Sequence, residues 1–217
     1  GRIVEYCLRA GMAGRLRLVN PSRKSIHDLA CYPSLAAVDD QVDVAIAMVA
    51  PARLPALIEQ CRDVAAAIVV GDLVARSDPA SKQVESAIKA QARSRGLRLV
   101  GPQCVGIVSP VSGTVLSISS ALAAREAGAG RLALISQSGG LVASIIDRAG
   151  DAGCGFSRVI SCGGEVDLTI EDYLEFLVDD DETGVISIYA EGIRNPGRFL
   201  ALADRAAAAS KPVLMLM

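Results

Sequence analysis

Short apolar runs alternate with longer amphipathic segments along most of this chain. A short apolar run bounded by turn-forming residues is typical of a buried strand, whereas apolar residues recurring every three or four positions are typical of a helix. The apolar runs predict strands at residues 15–19, 42–49, 66–70, 97–100, 132–136, 157–161, 185–190 and 212–217. The amphipathic segments predict helices at residues 3–10, 53–64, 81–95, 141–152, 170–178 and 196–209.

This alternation of strands and helices predicts an α/β fold, because βαβ units give parallel sheets with helices on both faces. The alternation is interrupted between Val105 and Gly130, where Gly, Ser and Pro accumulate and the helical pattern fades. We therefore predict two parallel-sheet domains, residues 1–127 and 128–217. The first helix has no strand before it and the chain stops inside an apolar strand. We expect this chain to be part of a longer protein.

Composition and charge exclude several classes of function. The net charge of −2 and the scattered Lys and Arg leave no basic stripe, so we expect no nucleic-acid partner. Six cysteines without a Cys-x-x-Cys pair, set among apolar residues, are typical of reduced core thiols. The single histidine, His27, lies in a polar segment that predicts an exposed loop, and we expect no metal site. Without a spanning apolar run or a signal peptide, we expect a cytoplasmic protein with no membrane contact.

The segment Ser-Gln-Ser-Gly-Gly carries the clearest candidate chemistry, because it joins a predicted strand to a predicted helix. The first N–H groups of a helix lack intrahelical acceptors and carry partial positive charge, so this turn can hold a phosphate without a basic side chain. We predict a phosphate site whose members are Ser136, Gln137, Ser138, Gly139 and Gly140. The serines would add hydroxyl donors and the glycines would permit close approach. Taken alone, the turn is equally typical of an ordinary N-cap.

A series of short motifs, in a fixed order, extends over nearly the whole chain. They are Leu18-Val19-Asn20-Pro21, Cys31-Tyr32-Pro33-Ser34-Leu35, Val42-Asp43-Val44-Ala45-Ile46-Ala47, Ala50-Pro51-Ala52, Gly101-Pro102-Gln103-Cys104-Val105-Gly106, Ile135-Ser136-Gln137-Ser138-Gly139, Gly155-Phe156-Ser157, Ser161-Cys162-Gly163-Gly164, Tyr173-Leu174-Glu175-Phe176-Leu177, Tyr189-Ala190-Glu191-Gly192 and Lys211-Pro212-Val213. With these motifs the chain resembles the NDP-forming acyl-CoA synthetases, which share two domains with the α subunit of succinyl-CoA synthetase.

For the first domain, the resemblance implies a Rossmann-like fold that binds CoA through loops at the strand ends. The positions that match the family's CoA loops are Asn20, Pro21, Arg23, Ala50, Pro51, Gly71 and Gln103. Arg23 stands where the family often has Lys, and Gln103 stands where it usually has Asn. Cys104, in the same loop as Gln103, is interpreted as a buried small residue, because no histidine nearby could activate it.

For the second domain, the resemblance implies a flavodoxin-like fold and a ligase reaction that passes through an acyl phosphate and a phosphohistidine. Glu191 matches the glutamate that orients the reactive histidine, and the serine-glycine turn would hold the phosphoryl group. Gly163 and Gly164 would lie beside the acyl end, although many relatives have Asn at the second of these positions. The family's reactive histidine lies after the strand where this sequence ends, so we expect the isolated chain to be inactive.

The resemblance also implies partners: an organic acid or acyl-CoA, an ATP-grasp domain or subunit that binds ATP or ADP with Mg, and assembly into an oligomer. Two alternatives stay open at this point. Some protein acetyltransferases carry the same domains in degenerate form, as a sensor of CoA or acyl-CoA. An NAD-dependent dehydrogenase is less favoured, because the sequence has no Gly-x-Gly-x-x-Gly fingerprint.

Overall fold

The computed structural model describes residues 1–73 and 81–217 and confirms an α/β fold built largely from parallel strands. The helices of these residues are α1 (Arg2–Arg9), α2 (Leu54–Gln60), α3 (Ser81–Arg93), α4 (Ala121–Ala124), α5 (Gly139–Asp151), α6 (Ile170–Asp179) and α7 (Pro196–Ala208). The strands are β1 (Leu18–Val19), β2 (Ser25–Ile26), β3 (Leu29–Tyr32), β4 (Val44–Ala47), β5 (Ala66–Val69), β6 (Arg98–Val100), β7 (Gly106–Ser109), β8 (Thr114–Ser117), β9 (Ala129–Ser136), β10 (Phe156–Ser161), β11 (Val185–Tyr189) and β12 (Val213–Leu216). Among residues 1–73 and 81–217, none of the helices combines the length and the apolar character of a membrane span.

The strands of the described residues form three sheets. The largest has the order β12-β11-β9-β10-β7-β8, in which β9 to β12 pair in parallel and the hairpin β7–β8 pairs antiparallel with β10. A second sheet, β4-β5-β6, is entirely parallel. In the third sheet, β3 pairs in parallel with β1 and antiparallel with β2. The carboxyl ends of β9, β10 and β11 therefore lie side by side at one edge of the largest sheet.

Several predicted elements need correction. Strands β2, β3, β7 and β8 and helix α4 were not predicted, because their short apolar stretches are bounded by turn-forming residues and resemble loops. The strand predicted at residues 15–19 shortens to β1, since residues 13–15 form a 3-10 turn. The helix predicted to reach residue 64 ends at Gln60, and Asp63 then adopts a left-handed φ of 58°. Helix α5 begins two residues earlier than predicted, so its first residues are Gly139 and Gly140.

The β7–β8 hairpin belongs to the sheet of the second half of the chain, although it lies in the first half of the sequence. Val108 of β7 is in register with Val159 of β10. Helix α1 packs against this hairpin, and its buried Tyr6 joins the apolar cluster formed by α5, β9 and β10. The proposed boundary between residues 127 and 128 stays a prediction, but strand pairing crosses it.

Residues 164–168, which we call the bridging segment, connect the largest sheet to the β4-β5-β6 sheet. After β10 the chain runs beside β6, where the N–H groups of Gly164, Val166 and Leu168 donate to the carbonyls of Pro102, Gly101 and Leu99 at 2.7, 3.0 and 3.1 Å.

Two side chains of the bridging segment strengthen this connection. The Val166 side chain packs into the core of the β4-β5-β6 unit. The buried carboxylate of Asp167 accepts hydrogen bonds from Arg93, Arg98 and the Leu99 N–H at 2.8, 2.8 and 3.0 Å. The two sheets are thus joined by backbone bonds, apolar packing and a charged cluster.

Candidate functional site

A cleft of about 380 Å³ opens at the carboxyl ends of β9, β10 and β11. Ligands of open parallel sheets bind at this edge, so the location agrees with a binding site. The residues that line the cleft come from four loops and are Gln103, Gln137, Gly163, Gly164, Glu165, Glu191, Gly192, Ile193 and Arg194. The cleft therefore brings together predicted members of the CoA loops, the phosphate turn, the acyl end and the catalytic position.

The turn from β9 into α5 is held by its own side chains. The Ser136 hydroxyl is fully buried, donates to the Ser138 carbonyl at 2.9 Å and accepts the Ser138 N–H at 3.1 Å. The Ser138 hydroxyl caps α5 by accepting the Leu141 N–H at 3.3 Å. Both hydroxyls are thus bonded within the turn. The anion donors that the turn can offer are the first N–H groups of α5, which belong to Gly139 and Gly140.

The two glycines have different surroundings. A Cβ built on Gly139 would lie 2.8 Å from a methyl group of Val105, so a glycine is needed there for packing between α5 and the loop before β7. A Cβ built on Gly140 would meet no heavy atom within 4 Å, and Gly140 is exposed. At the start of α5, Gly140 is therefore the glycine that is accessible to solvent.

Gln137 connects the ends of β9 and β11. Its amide Nε2 donates to the Gly192 carbonyl at 2.9 Å, while its Oε1 accepts the N–H groups of Glu191 and Gly192 at 2.5 and 3.2 Å. The backbone N–H of Gln137 also donates to the Tyr189 carbonyl at 3.1 Å. Because this side chain binds the backbone of Glu191, it fixes that residue at the rim of the cleft, beside the start of α5. Glu191 itself is exposed.

Gly163 and Gly164 pack against the loop that carries Gln103. Gly163 has a φ of +57°, and a Cβ there would lie 2.1 Å from the carbonyl oxygen of Pro102. The Gly164 N–H donates to the same oxygen at 2.7 Å. The contact with the Pro102 carbonyl excludes a side chain at position 163, and the left-handed backbone disfavours one as well. The predicted acyl-end loop is thus seated directly on the predicted CoA loop.

Sequence reasoning missed two charged residues in the cleft, Glu165 and Arg194. The Glu165 side chain is 1% exposed, and its Oε1 accepts the Ile170 N–H at 2.8 Å. Arg194 donates from Nη2 to the Gly164 carbonyl at 3.0 Å, and its Nε lies 3.7 Å from Oε2 of Glu165. Burial raises the pKa of the Glu165 carboxyl, although hydrogen bonds and the charge of Arg194 oppose that rise. The sequence signal for these two residues was weak. Each is a charged residue shortly after the glycines that follow a strand, Glu165 after β10 and Arg194 after β11.

The residues predicted to bind CoA follow the carboxyl ends of β1, β4, β5 and β6. The backbone N–H of Gln103 donates to the Gly71 carbonyl at 3.1 Å, and the Gln103 amide donates to Asp72, so two of these loops are in contact. Ala50 and Pro51 form the exposed start of a 3-10 turn after β4.

The remaining predicted CoA loop follows β1 and contains Asn20, Pro21 and Arg23. The Asn20 side chain accepts the N–H groups of Ser22 and Arg23 at 2.9 and 3.0 Å. This bonding commits Asn20 to shaping its own turn. Pro21 and Arg23 are exposed, so the Arg23 cation is accessible to a phosphate.

Four of the six thiols are buried, as expected of core thiols, whereas Cys31 is half-buried and Cys154 is exposed. Cys104 is 2% exposed and its thiol donates to the Val69 carbonyl at 3.4 Å, and burial raises the Cys104 pKa to about 11. It is therefore a buried thiol, as predicted. Cys154 is exposed, contrary to the expectation of core thiols, because it lies in the loop between α5 and β10. His27 is exposed in the β2–β3 turn, as predicted.

Comparison with known families and proteins gives matches over the whole chain. Residues 1–110 match the CoA binding domain, and residues 129–217 match the succinyl-CoA ligase like flavodoxin domain. The chain is 32% identical over 206 residues to the ADP-forming acetate–CoA ligase I of Archaeoglobus fulgidus. The matched region covers 94% of this chain and 29% of that protein. It is 28% identical to the α subunit of the ADP-forming acetate–CoA ligase II of Pyrococcus furiosus, over 96% of this chain and 45% of the subunit.

A solved structure is also similar. The apo form of the dinucleotide-forming acetyl-coenzyme A synthetase 1 of Ca. Korarchaeum cryptofilum superposes with a TM-score of 0.89 at 29% identity, covering 99% of this chain and 46% of that one. The same protein in complex with phosphate and ADP gives a TM-score of 0.88. The chain spans less than half the length of each of these relatives.

Proposed function

Because this chain belongs to the NDP-forming acyl-CoA synthetase family, we propose that it is the CoA-binding and phosphoryl-site portion of an acid–thiol ligase. The whole enzyme would join an organic acid to CoA at the expense of a nucleoside triphosphate, acting through an acyl phosphate and a phosphohistidine. The histidine would be supplied by a part of the protein outside this chain. In this proposal the residues of the cleft hold the reacting groups and do not form the covalent phosphoryl bond themselves.

One observation carries this proposal: the cleft is lined jointly by Gln103, Gln137, Gly163 and Glu191. A ligase of this type must bring the thiol end of CoA, the acyl group and the phosphoryl group to one point. The candidate residues for those three groups come from loops that are distant in the sequence. Their contribution to a single cleft supports the assignment more strongly than any one motif does.

The residues present fit the groups that the proposal requires. The exposed Arg23 cation suits a phosphate of CoA, and the start of α5 offers N–H donors to a phosphoryl group. We assign Ser136, Gln137 and Ser138 to shaping the phosphate turn, with Gly139 and Gly140 supplying the donors. The remaining CoA positions, Asn20, Pro21, Ala50, Pro51, Gly71 and Gln103, would shape the CoA loops, and Gly163 and Gly164 would adjoin the acyl group.

The nucleotide would bind to a separate ATP-grasp domain or subunit, together with Mg. The relatives support this partner: the Pyrococcus protein is named as an α subunit, and the Korarchaeum synthetase has been solved with phosphate and ADP. The alternative of an acyl-CoA sensor on a protein acetyltransferase has no support among the relatives reported above, which are named as ligases or synthetases.

The proposal is tested by Glu191→Gln in the full-length protein with its ATP-grasp partner. Glutamine keeps the size of the side chain but removes the charge that favours an imidazolium during phosphoryl transfer. Incorporation of labelled phosphate from a nucleoside triphosphate should slow by about 10²-fold or more. CoA binding should be unchanged, because Glu191 is not among the positions assigned to the CoA loops.

Glu182→Gln is the matched control, since Glu182 is an exposed glutamate in the loop before β11, at the opposite end of that strand. It should phosphorylate at the wild-type rate. Wild-type rates in the Glu191 variant would show that this carboxylate is not an orienting group. Failure of the wild-type protein to bind CoA or to accept the label would refute the proposed function as a whole.

A further inference from the structure

Arg194 is the one basic side chain among the residues that line the cleft in the described part of the chain, where Glu165 and Glu191 are acidic. A carboxylate, an acyl phosphate or a phosphate that enters this cleft carries negative charge toward two carboxyl groups. A guanidinium supplies the compensating charge together with a planar fork of N–H donors, the arrangement that matches carboxylate and phosphate oxygens. Arg194 is therefore the side chain in this lining that can balance the charge of a bound anion.

The backbone on both sides of Arg194 is anchored. On the preceding side, the Gln137 amide binds the backbone of Gly192 through both its nitrogen and its oxygen. On the following side, the Asn195 N–H donates at 2.6 Å to Glu171, a residue that is fully buried. Such anchoring reduces the conformational entropy that ligand binding would otherwise cost. The loop thus holds Arg194 in place before any ligand arrives.

The guanidinium is held along one edge. Nη2 donates to the Gly164 carbonyl at 3.0 Å, and Nε lies 3.7 Å from Oε2 of Glu165. Among the described residues, Nη1 forms no hydrogen bond. The Arg194 side chain is 62% exposed, whereas that of Glu165 is 1% exposed. One end of the ion pair is therefore fixed in the protein and the other remains accessible from the cleft.

We propose that Arg194 binds the oxyanion that enters this cleft, a carboxylate or a phosphoryl group, and that Glu165 is a positioning residue that holds the guanidinium. Glu165 suits this role because its other oxygen is already bonded to the start of α6, through the Ile170 N–H at 2.8 Å. The inference rests on the proposed function, since an acid–thiol ligase must bind such anions at this point. It adds a side-chain cation to a site otherwise made of backbone donors.

The test is a set of calorimetric titrations of the full-length protein with inorganic phosphate, acetate and CoA. Arg194→Gln should weaken phosphate binding, acetate binding or both by about 10-fold or more, while CoA binding changes less than twofold. A loss confined to phosphate identifies a phosphoryl ligand, and one confined to acetate identifies a carboxylate ligand. Arg205→Gln is the matched control, because Arg205 pairs with exposed carboxylates on α6.

Two further variants separate binding from folding. Arg194→Lys keeps the charge without the fork and should give an intermediate loss of anion affinity. Glu165→Gln should weaken the same anion in the same direction, by a smaller factor, with CoA affinity unchanged. The inference would be overturned if Arg194→Gln bound phosphate and acetate as tightly as the wild type does. It would also be overturned if the wild type bound neither anion. A parallel loss of anion and CoA binding with a lowered melting temperature would also overturn it. Absence of CoA binding in the wild type counts against the proposed function alone.

Discussion

Asp167 offers the sharpest test of how the two sheets are connected. Its carboxylate is fully buried and lies 2.7 Å from Nη2 of Arg93 and 2.8 Å from Nε of Arg98, and it accepts the Leu99 N–H at 3.0 Å. Removal of one partner from a buried ion pair costs about 3–5 kcal/mol when a buried charge is left behind. Here the two arginine side chains are 53% and 42% exposed, so water can solvate them again. The main residual cost is then the unsatisfied Leu99 N–H, about 1–3 kcal/mol.

We therefore expect Asp167→Ala to lower the free energy of unfolding by about 2–3 kcal/mol at pH 7. Urea unfolding followed by circular dichroism measures this difference. Asp151→Ala is the matched control, because Asp151 forms a pair of the same 2.7 Å length with Arg125 but its side chain is 66% exposed. An exposed pair contributes about 1 kcal/mol or less, so the control should unfold almost as the wild type does.

The same contacts predict how the difference depends on pH. Burial alone would raise the Asp167 pKa, but hydrogen bonds from Arg98, the Leu99 N–H and Arg93 lower it below its usual value. The carboxylate therefore stabilises the fold at every pH above the pKa of the unfolded chain, and this stabilisation is lost as the pH falls through the folded pKa. The gap between wild type and Asp167→Ala should be constant from pH 6 to 8 and narrow below about pH 4. A gap under about 0.5 kcal/mol at pH 7, or one that does not depend on pH, would refute this account.

Two further predictions concern packing and thiol chemistry. Gly163→Ala should cost about 3 kcal/mol or more in urea unfolding, because the Pro102 carbonyl excludes a Cβ and the left-handed backbone disfavours one. Gly140→Ala, whose Cβ would meet open space, should stay within about 0.5 kcal/mol of wild type, and equal costs for the two would contradict the geometry. At pH 8, iodoacetamide should modify the exposed Cys154 first and Cys104, with its pKa of about 11, only on unfolding, as mass spectrometry of the alkylated peptides would show. Early alkylation of Cys104 would show that its loop opens.

The sequence predicted the parallel strands and the turn from β9 into α5 well, because those features follow from local periodicity and from the residues that end each strand. The strand that ends at Ser136 and the helix that follows it are examples. The β7–β8 hairpin escaped prediction for a physical reason. Gly106, which resembles a loop residue, is a strand residue with a φ of +96°, and a Cβ there would lie 2.0 Å from the Leu116 carbonyl oxygen. Only the three-dimensional approach of the two strands explains that glycine.

The candidate site was predicted in part. Glu191 was assigned from the family resemblance, and the serine-glycine turn from its place between a predicted strand and a predicted helix. In the structure, Gln137 of that turn lines the cleft with Glu191 and accepts the Glu191 N–H. Glu165 and Arg194 could not be found, because they follow different strands and only the parallel order β10-β9-β11 brings their loops together. The Ser136 hydroxyl was expected to face a ligand, but its bonds within the turn depend on backbone geometry that the sequence does not specify.

The β7–β8 hairpin has a consequence for how this protein folds during synthesis. Its outer strand β8 is covered by α1, which is already made when the hairpin forms, but β7 must wait for β10. Until the ribosome has added that later strand, β7 presents an unpaired strand edge, the kind of surface on which chains associate wrongly. Its final pairing is non-local, and such contacts form slowly. The largest sheet can therefore be completed only after strands from both halves of the chain have been made.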